Sequence, residues 1–400
     1  MVLLSIIMIL FLGLIANRLF QSMRLPGILG MIFVGVLLGP YVTNSLDMEI
    51  LRLSKDIRML ALIIILLRAG LGLNKDSLKK VGAVALRMTA IPCIFEGLTI
   101  MGIAHYLLGL SLVDSGMLGF IIAAVSPAVV VPAMINLKEN GLGMKKGIPI
   151  IILAGASADD IFAITLFYSF LSMALSGGQA SIVNQIARIP VEVIGGILLG
   201  LILGYGLSLF YKKSKIRLRE TEEVLVLIAT AIGMTLIGDR IHVAGLLAVM
   251  TAGFVILEKS SKQAEKLSSA LSHIWVCAEI FLFVLIGAEV NIQVALQAGG
   301  LGILVILIGL IGRSIGVFLA TSHSHLNWKE RLFCAIAYMP KATVQAAIGG
   351  IPLTAGIATG DRILALAVMA IVITAPLGAI GIKLFAPMLL EKEFTLDEEA

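Results

Sequence analysis

Apolar residues run through this chain in long blocks, and the polar residues between them collect in short loops. Blocks near the ~20 apolar residues that a helix needs to cross a bilayer predict membrane-spanning helices. Thirteen are expected, at 2–20, 27–42, 57–73, 81–109, 113–136, 147–174, 187–211, 220–238, 243–257, 271–291, 298–321, 329–353 and 362–389. The first block lacks a basic leader and a cleavage site, so it reads as a first helix rather than a removed signal peptide.

The loops add an orientation. Those after odd-numbered spans hold eighteen Lys and Arg, while the opposite side holds six, among them Arg52, Lys55 and Arg58. Positive charge marks the cytoplasmic side, so the N-terminus is expected outside and the acidic tail over 391–400 in the cytoplasm.

A weak internal repeat runs through the same pattern. Shifted by 218 residues, Gly27-Ile28-Leu29 meets Gly245-Leu246-Leu247 and Gly35 meets Gly253; at 213, the stretch from Ser126 to Pro132 falls on Met339 to Gln345. An odd number of spans separates the halves, so the second enters the membrane inverted. The expected layout is one transmembrane unit over 1–400: a first repeat over 1–186, a connecting helix and loop over 187–219, a second repeat over 220–390 and the tail. Spans 113–136 and 329–353 each carry proline in mid-membrane, at Pro127 and Pro340. Proline opens a helix and frees backbone groups, and matched breaks in two repeats point to a transporter's substrate site.

Composition narrows the class. With 59% hydrophobic and 14% charged residues and a mean hydropathy of +1.06, the chain reads as an all-α polytopic membrane protein. Its net charge of +5 sits in loops, where membrane orientation explains it and nucleic acid does not. Cys93, Cys277 and Cys334 lie in apolar runs without metal-ligand spacing and read as small core hydrophobes.

The candidate chemistry lies in the few charges inside the apolar blocks. Asp159 and Asp160 follow Ala156-Ser157-Ala158 near the middle of the 147–174 span, where an acidic residue costs ~2.5–3.5 kcal/mol on insertion scales. Such a carboxylate is protonated, paired with a cation, or open to a water-filled cavity, and neighbours on a helix point about 100° apart. One can therefore be tethered to a base while the other faces a cavity. Glu96, Arg313, Lys341, Arg68 and Glu279 are the other deep charges. The repeat offset brings Glu96 and Arg313 to equivalent places and predicts a bridge between them, and Arg68 with Glu279 is a second candidate pair. Lys341, directly after Pro340, is placed to neutralise exposed carbonyl ends of the broken helix. Glu289 lies near a span end, where it is expected to be hydrated. These deep charges sum to minus one, which a bound proton or monovalent cation cancels.

Adjacent aspartates on one helix argue against an intramembrane aspartyl protease, which needs them on separate helices, and no enzyme activity or cofactor is expected. Exchange of a monovalent cation for protons leads. Potassium/proton exchange, sodium-coupled uptake of an organic anion and a proton-activated channel remain as alternatives.

Three motifs carry a family resemblance: Ser126-Pro127-Ala128-Val129-Val130-Val131-Pro132, Ala158-Asp159-Asp160-Ile161-Phe162-Ala163-Ile164-Thr165, and Pro340-Lys341-Ala342-Thr343-Val344-Gln345. With Pro26-Gly27-Ile28-Leu29-Gly30, Arg68-Ala69-Gly70-Leu71 and Gly287-Ala288-Glu289, they resemble the monovalent cation/proton antiporters, in particular the NHA-type sodium/proton antiporters, over nearly the whole chain. The resemblance implies an NhaA-like antiporter fold of two inverted six-helix repeats with two broken, crossing helices. It also implies a homodimer in a plasma or inner cell membrane, with a core moving against a dimerisation domain. Transported Na+ or Li+ and H+ are expected at Asp160 with Asp159 beside it, and Ser126 and Ser157 supply neutral oxygens. Two departures stand out: Ser126 occupies a place where many relatives carry an acid, and Arg313 a place where electrogenic bacterial relatives carry lysine. Arginine keeps its proton in a protein, so that group carries none here.

Overall fold

The computed structural model describes residues 2–23, 25–72, 75–176, 182–213 and 219–392. The chain opens with α1 (Val2–Ser22), α2 (Gly27–Leu38), the short α3 (Met48–Arg52) and α4 (Ser54–Gly72). Next come α5 (Lys75–Leu108), α6 (Leu112–Ala123), α7 (Pro127–Glu139) and α8 (Ile148–Leu175). After these run α9 (Ile182–Lys213), α10 (Glu220–Ile241), α11 (Gly245–Lys259) and α12 (Ser261–Ala288). The last are α13 (Ile292–Ala320), α14 (Trp328–Ala337), α15 (Thr343–Ile348), the single turn α16 (Ile351–Thr354) and α17 (Gly360–Leu389). Among the described residues, seven helices are long and apolar enough to cross a membrane, and shorter apolar helices include α2 and α6. Large apolar side chains such as Phe11, Ile202, Leu296 and Met388 cover the outside, as lipid rather than water requires. This is a multi-pass helical membrane protein. Residues 393–400 of the expected tail lie outside the described residues.

The helices pack in two groups. A panel is made by α1, α2, α4 and α9 to α12, with α2 and α4 against α12 and α9 against α11. Small residues permit its closest crossing: a side chain on Gly35 would strike the Val284 carbonyl, and one on Gly287 the Ile32 carbonyl. The second group, a core, joins α5 to α6, α8 and α13, and α17 to α13 and α14. The groups meet where α15 touches α4 and α12 and where α8 touches α9 and α11.

Both proline-bearing spans are broken, and the breaks face each other. Residues 124–126 leave helical geometry, with Ala124 at φ −69°, ψ 137° and Ser126 at φ −90°, ψ 110°. Pro127 then opens α7 at a position where the missing N–H has no intrahelical partner to lose. In the other span α14 ends at Ala337 and α15 begins at Thr343, with Pro340 between. The Ser126 N–H donates to the Pro340 carbonyl at 2.8 Å, so each break satisfies part of the other.

Candidate ion site at the helix crossing

α8 passes the crossing and presents both aspartates to it. Asp159 is 0% and Asp160 5% exposed, although both lie in a helix of small and apolar residues. Gly155, one turn before Asp159, leaves room for the Tyr338 hydroxyl, which a side chain there would strike.

The two carboxylates have different surroundings. Asp159 Oδ2 accepts from the Val125 N–H at 2.8 Å and from Arg313 Nη2 at 3.0 Å. It is therefore an anion held by a charged donor and a backbone donor of the first break. Asp160 makes no hydrogen bond or ion pair among the described residues, and its Oδ1 is buried without a partner. A buried carboxylate in that position has to hold a proton or meet a cation.

Glu96 organises the cations. Its Oε2 lies 2.6 Å from Arg313 Nη1 and 2.6 Å from Lys341 Nζ, all three side chains at most 1% exposed. The expected Glu96–Arg313 ion pair is present. Lys341 departs from expectation: its ammonium goes to Glu96, not to exposed helix ends. The carbonyl ends of α6, the other broken helix, are taken by other groups. Gln345 Nε2 reaches the carbonyls of Ile121, Ile122 and Ala124 at 2.9, 3.2 and 2.9 Å, and Arg313 Nη1 the carbonyl of Ala123. An amide donor splits across several carbonyls at that position, which a compact ammonium drawn to a carboxylate does not do. The Lys341 N–H is satisfied by Thr374 Oγ1 at 2.9 Å, and the Arg313 guanidinium lies 5.2 Å from the Tyr338 ring centre.

The crossing thus holds three carboxylates against two cationic groups, and the unmatched charge belongs to Asp160. Several buried oxygens there have no hydrogen-bond partner among the described residues, including Ser126 Oγ, Asp159 Oδ1, Tyr338 Oη and Thr343 Oγ1. Hard, unpartnered oxygens around one excess negative charge suit a small monovalent cation. The Ser157 side chain lies outside the described residues.

Other expected charges sit elsewhere. Arg68 of α4 lies with its guanidinium 5.8 Å from the Trp275 ring centre, and it forms no ion pair with Glu279 among the described residues. Stacking over an aromatic face takes the place of the bridge, leaving only a through-space attraction. Neither residue joins the crossing. Arg58, counted from the sequence with the charges at one end of its span, has a fully buried side chain, and its Nη2 lies 2.9 Å from Glu289, a residue expected to be hydrated. Both corrections have one cause: α4 begins at Ser54, so Arg58 is inside the fold, facing the end of α12. Cys277 is exposed, while Cys93 and Cys334 are buried.

Sequence reasoning passed over Gln345, Thr374, Tyr338 and Thr343. Gln345 had a signal, being a polar residue in an apolar run directly after a proline break. Thr374 and Tyr338 had none, because helical threonines and buried tyrosines occur throughout such proteins.

The transmembrane sodium/hydrogen exchanger family model matches residues 6–387. Sodium/hydrogen exchanger 9B2 of Xenopus tropicalis is 35% identical over 409 residues, covering 97% of this chain and 75% of the relative. The human protein of the same name is 36% identical over 385 residues, covering 92% and 70%. Among solved structures, the sodium proton antiporter MjNhaP1 of Methanocaldococcus jannaschii superposes with a TM-score of 0.84 at 20% identity, covering 97% of this chain and 99% of that one. This last likeness is one of fold.

Proposed function

This chain belongs to the transmembrane sodium/hydrogen exchanger family, and on that premise we propose that it exchanges sodium or lithium for protons, with both ions competing at Asp160 beside Asp159. The observation that carries this reading is the isolation of Asp160. It is 5% exposed and has no hydrogen-bond or ion-pair partner among the described residues, while its neighbour is fixed by Arg313 and the Val125 N–H. Only one of the two carboxylates is free to change its charge.

Each residue has a part in the cycle. Asp160 binds the cation as an anion and the proton as an acid. Arg313 and Lys341 hold Glu96 and Asp159 in place, so the second charge stays constant while the first alternates. Ser126, Ser157 and Thr343 offer neutral oxygens to a desolvated cation. The excess charge at the crossing is one, so one monovalent cation or one proton restores neutrality, and exchange is one for one. No cofactor has a role. Organic anion uptake has no support from the geometry, because both cationic groups at the crossing are committed to carboxylates.

Alternating access follows from the two packing groups. The core, carrying the crossing and α8, moves against the panel so that Asp160 faces each side in turn. Thirteen spans arranged as two inverted repeats, at 1–186 and 220–390, account for a helix, a broken helix and a helix recurring at α5 to α8 and α13 to α17. The panel is the dimerisation surface of a homodimer in a cell membrane, with the N-terminus outside and the C-terminus cytoplasmic.

The test is sodium-, lithium- or potassium-driven proton movement in proteoliposomes, read with a pH-sensitive dye. Wild-type protein is expected to respond to sodium and lithium, and Asp160→Asn to lose exchange while remaining a folded dimer. Normal exchange by that variant would end this reading.

A further inference from the structure

Tyr338 follows α14 directly before the second break, and its side chain is enclosed, 0% exposed, between α13 and α8. Its ring lies against the Arg313 guanidinium of α13, and its hydroxyl reaches α8 in the slot left by Gly155, where a β-carbon would strike it. Ring and slot together fix where that oxygen sits.

The slot lies beside Asp159. Gly155 and Asp159 are four residues apart, so they share a face of α8, about 6 Å from each other along its axis. Cα–Cβ bonds in a helix tilt toward its N-terminus, which leans the Asp159 carboxylate back over the turn that holds the hydroxyl. Of the carboxylates at the crossing, Asp159 acts most strongly on that hydroxyl. Tyr338 Oη and Asp159 Oδ1 are both buried without a hydrogen-bond partner among the described residues, whereas Asp159 Oδ2 is committed to the Val125 N–H and Arg313. One is a donor lacking an acceptor, the other an acceptor lacking a donor. Each carries a cost that the other can remove.

We propose that Tyr338 is a positioning residue that competes with the transported cation for Asp159 Oδ1. With the cation bound, Oδ1 serves the ion beside Asp160; when the ion leaves, a small pivot of the carboxylate on Oδ2 brings Oδ1 to the Tyr338 hydroxyl. That hydrogen bond stabilises the cation-free site and so favours release. A proton on Asp160 leaves it intact. The inference rests on the function proposed above, in which Asp159 stands beside a cation held at Asp160.

Sodium Km measured in proteoliposomes across pH, alongside thermal unfolding, tests it. Tyr338→Phe keeps the ring against Arg313 and removes the competitor, so Km is expected to fall by about threefold to tenfold, the worth of an ordinary hydrogen bond. The factor is the same at every pH, and the unfolding temperature does not drop. A merely structural hydroxyl predicts the reverse, a lower unfolding temperature with Km unchanged or raised, and either Km result overturns the proposal. Should Tyr338→Phe not fold, the wild-type protein decides through sodium-induced infrared difference spectra with ring-labelled tyrosine. Sodium is expected to shift a tyrosine C–O band from its hydrogen-bonded position, and the absence of any tyrosine signal rejects the competition. Loss of sodium-driven proton movement in Asp160→Asn does not involve Tyr338, so failure of the antiport reading is read separately from failure of this one.

Discussion

Two buried charge clusters lie on either side of the junction between core and panel, and they are built differently. At the panel, Arg58 meets Glu289 one to one; its other donors go to the Ser54 and Ala346 carbonyls. That cluster is balanced, and its geometry ties α4 to α12 and to α15. At the crossing, three carboxylates face two cations, and oxygens of Ser126, Asp159, Tyr338 and Thr343 are left without partners among the described residues. Burial alone does not separate the two, since Arg58 is as buried as Lys341. Imbalance does. A fold that needs only a tether pairs its charges fully, whereas a site that has to bind and release an ion keeps one charge and several oxygens waiting.

The comparison breaks most sharply by neutralising single members. Asp160→Asn is expected to abolish exchange with little loss of stability, because it removes an unmatched charge; Asp159→Asn, which strips Arg313 of a partner, is expected to lower both. Thermal unfolding alongside transport separates them, and a large stability loss in Asp160→Asn would contradict the imbalance.

Next in size are the paired charges of the crossing. Glu96→Gln or Arg313→Gln leaves a buried partner uncompensated and is expected to destabilise by roughly 3–5 kcal/mol, with the double variant losing less than the sum. Additive losses in that cycle would count against a coupled pair. Arg58→Gln is expected to fall at or below the lower end, about 3 kcal/mol, because the Glu289 side chain is 13% exposed and gains some hydration. Its per-molecule transport should stay sodium-selective, which a filter of the folded fraction would show.

Gln345→Leu is the mildest change. It strands three carbonyls at the end of α6 and is expected to cost about 1–3 kcal/mol, less if water enters the crossing. Hydrogen exchange at 121–124 should rise above that at the same residues in wild type, and no change there would remove Gln345 as the cap of α6.

Much of this was legible in the residues. Apolar blocks located the helices because lipid leaves few alternatives, and Pro127 and Pro340 lie at both breaks, whereas Pro92, Pro376 and Pro387 are carried inside α5 and α17. Asp159, Asp160, Glu96 and Arg313 stood out as charges in apolar runs. What stayed hidden depended on position in three dimensions. Arg58 looked like one more base at a span end until the start of α4 placed it inside, and the partner of Lys341 was decided by competition between a carboxylate and carbonyls that no spacing expresses. The different fates of two neighbouring aspartates likewise depend on which one meets the Val125 N–H and Arg313.

In the proposed exchange, cation and proton exclude each other at Asp160. Km for sodium measured across pH, with equal pH on both sides of the membrane, tests it most directly. Protonation removes the anionic ligand, so Km should rise roughly tenfold for each unit that pH falls below the site's pKa, while the rate at saturating sodium changes far less. A Km that stays constant while the saturated rate varies steeply with pH would contradict the account and assign proton sensing to another group.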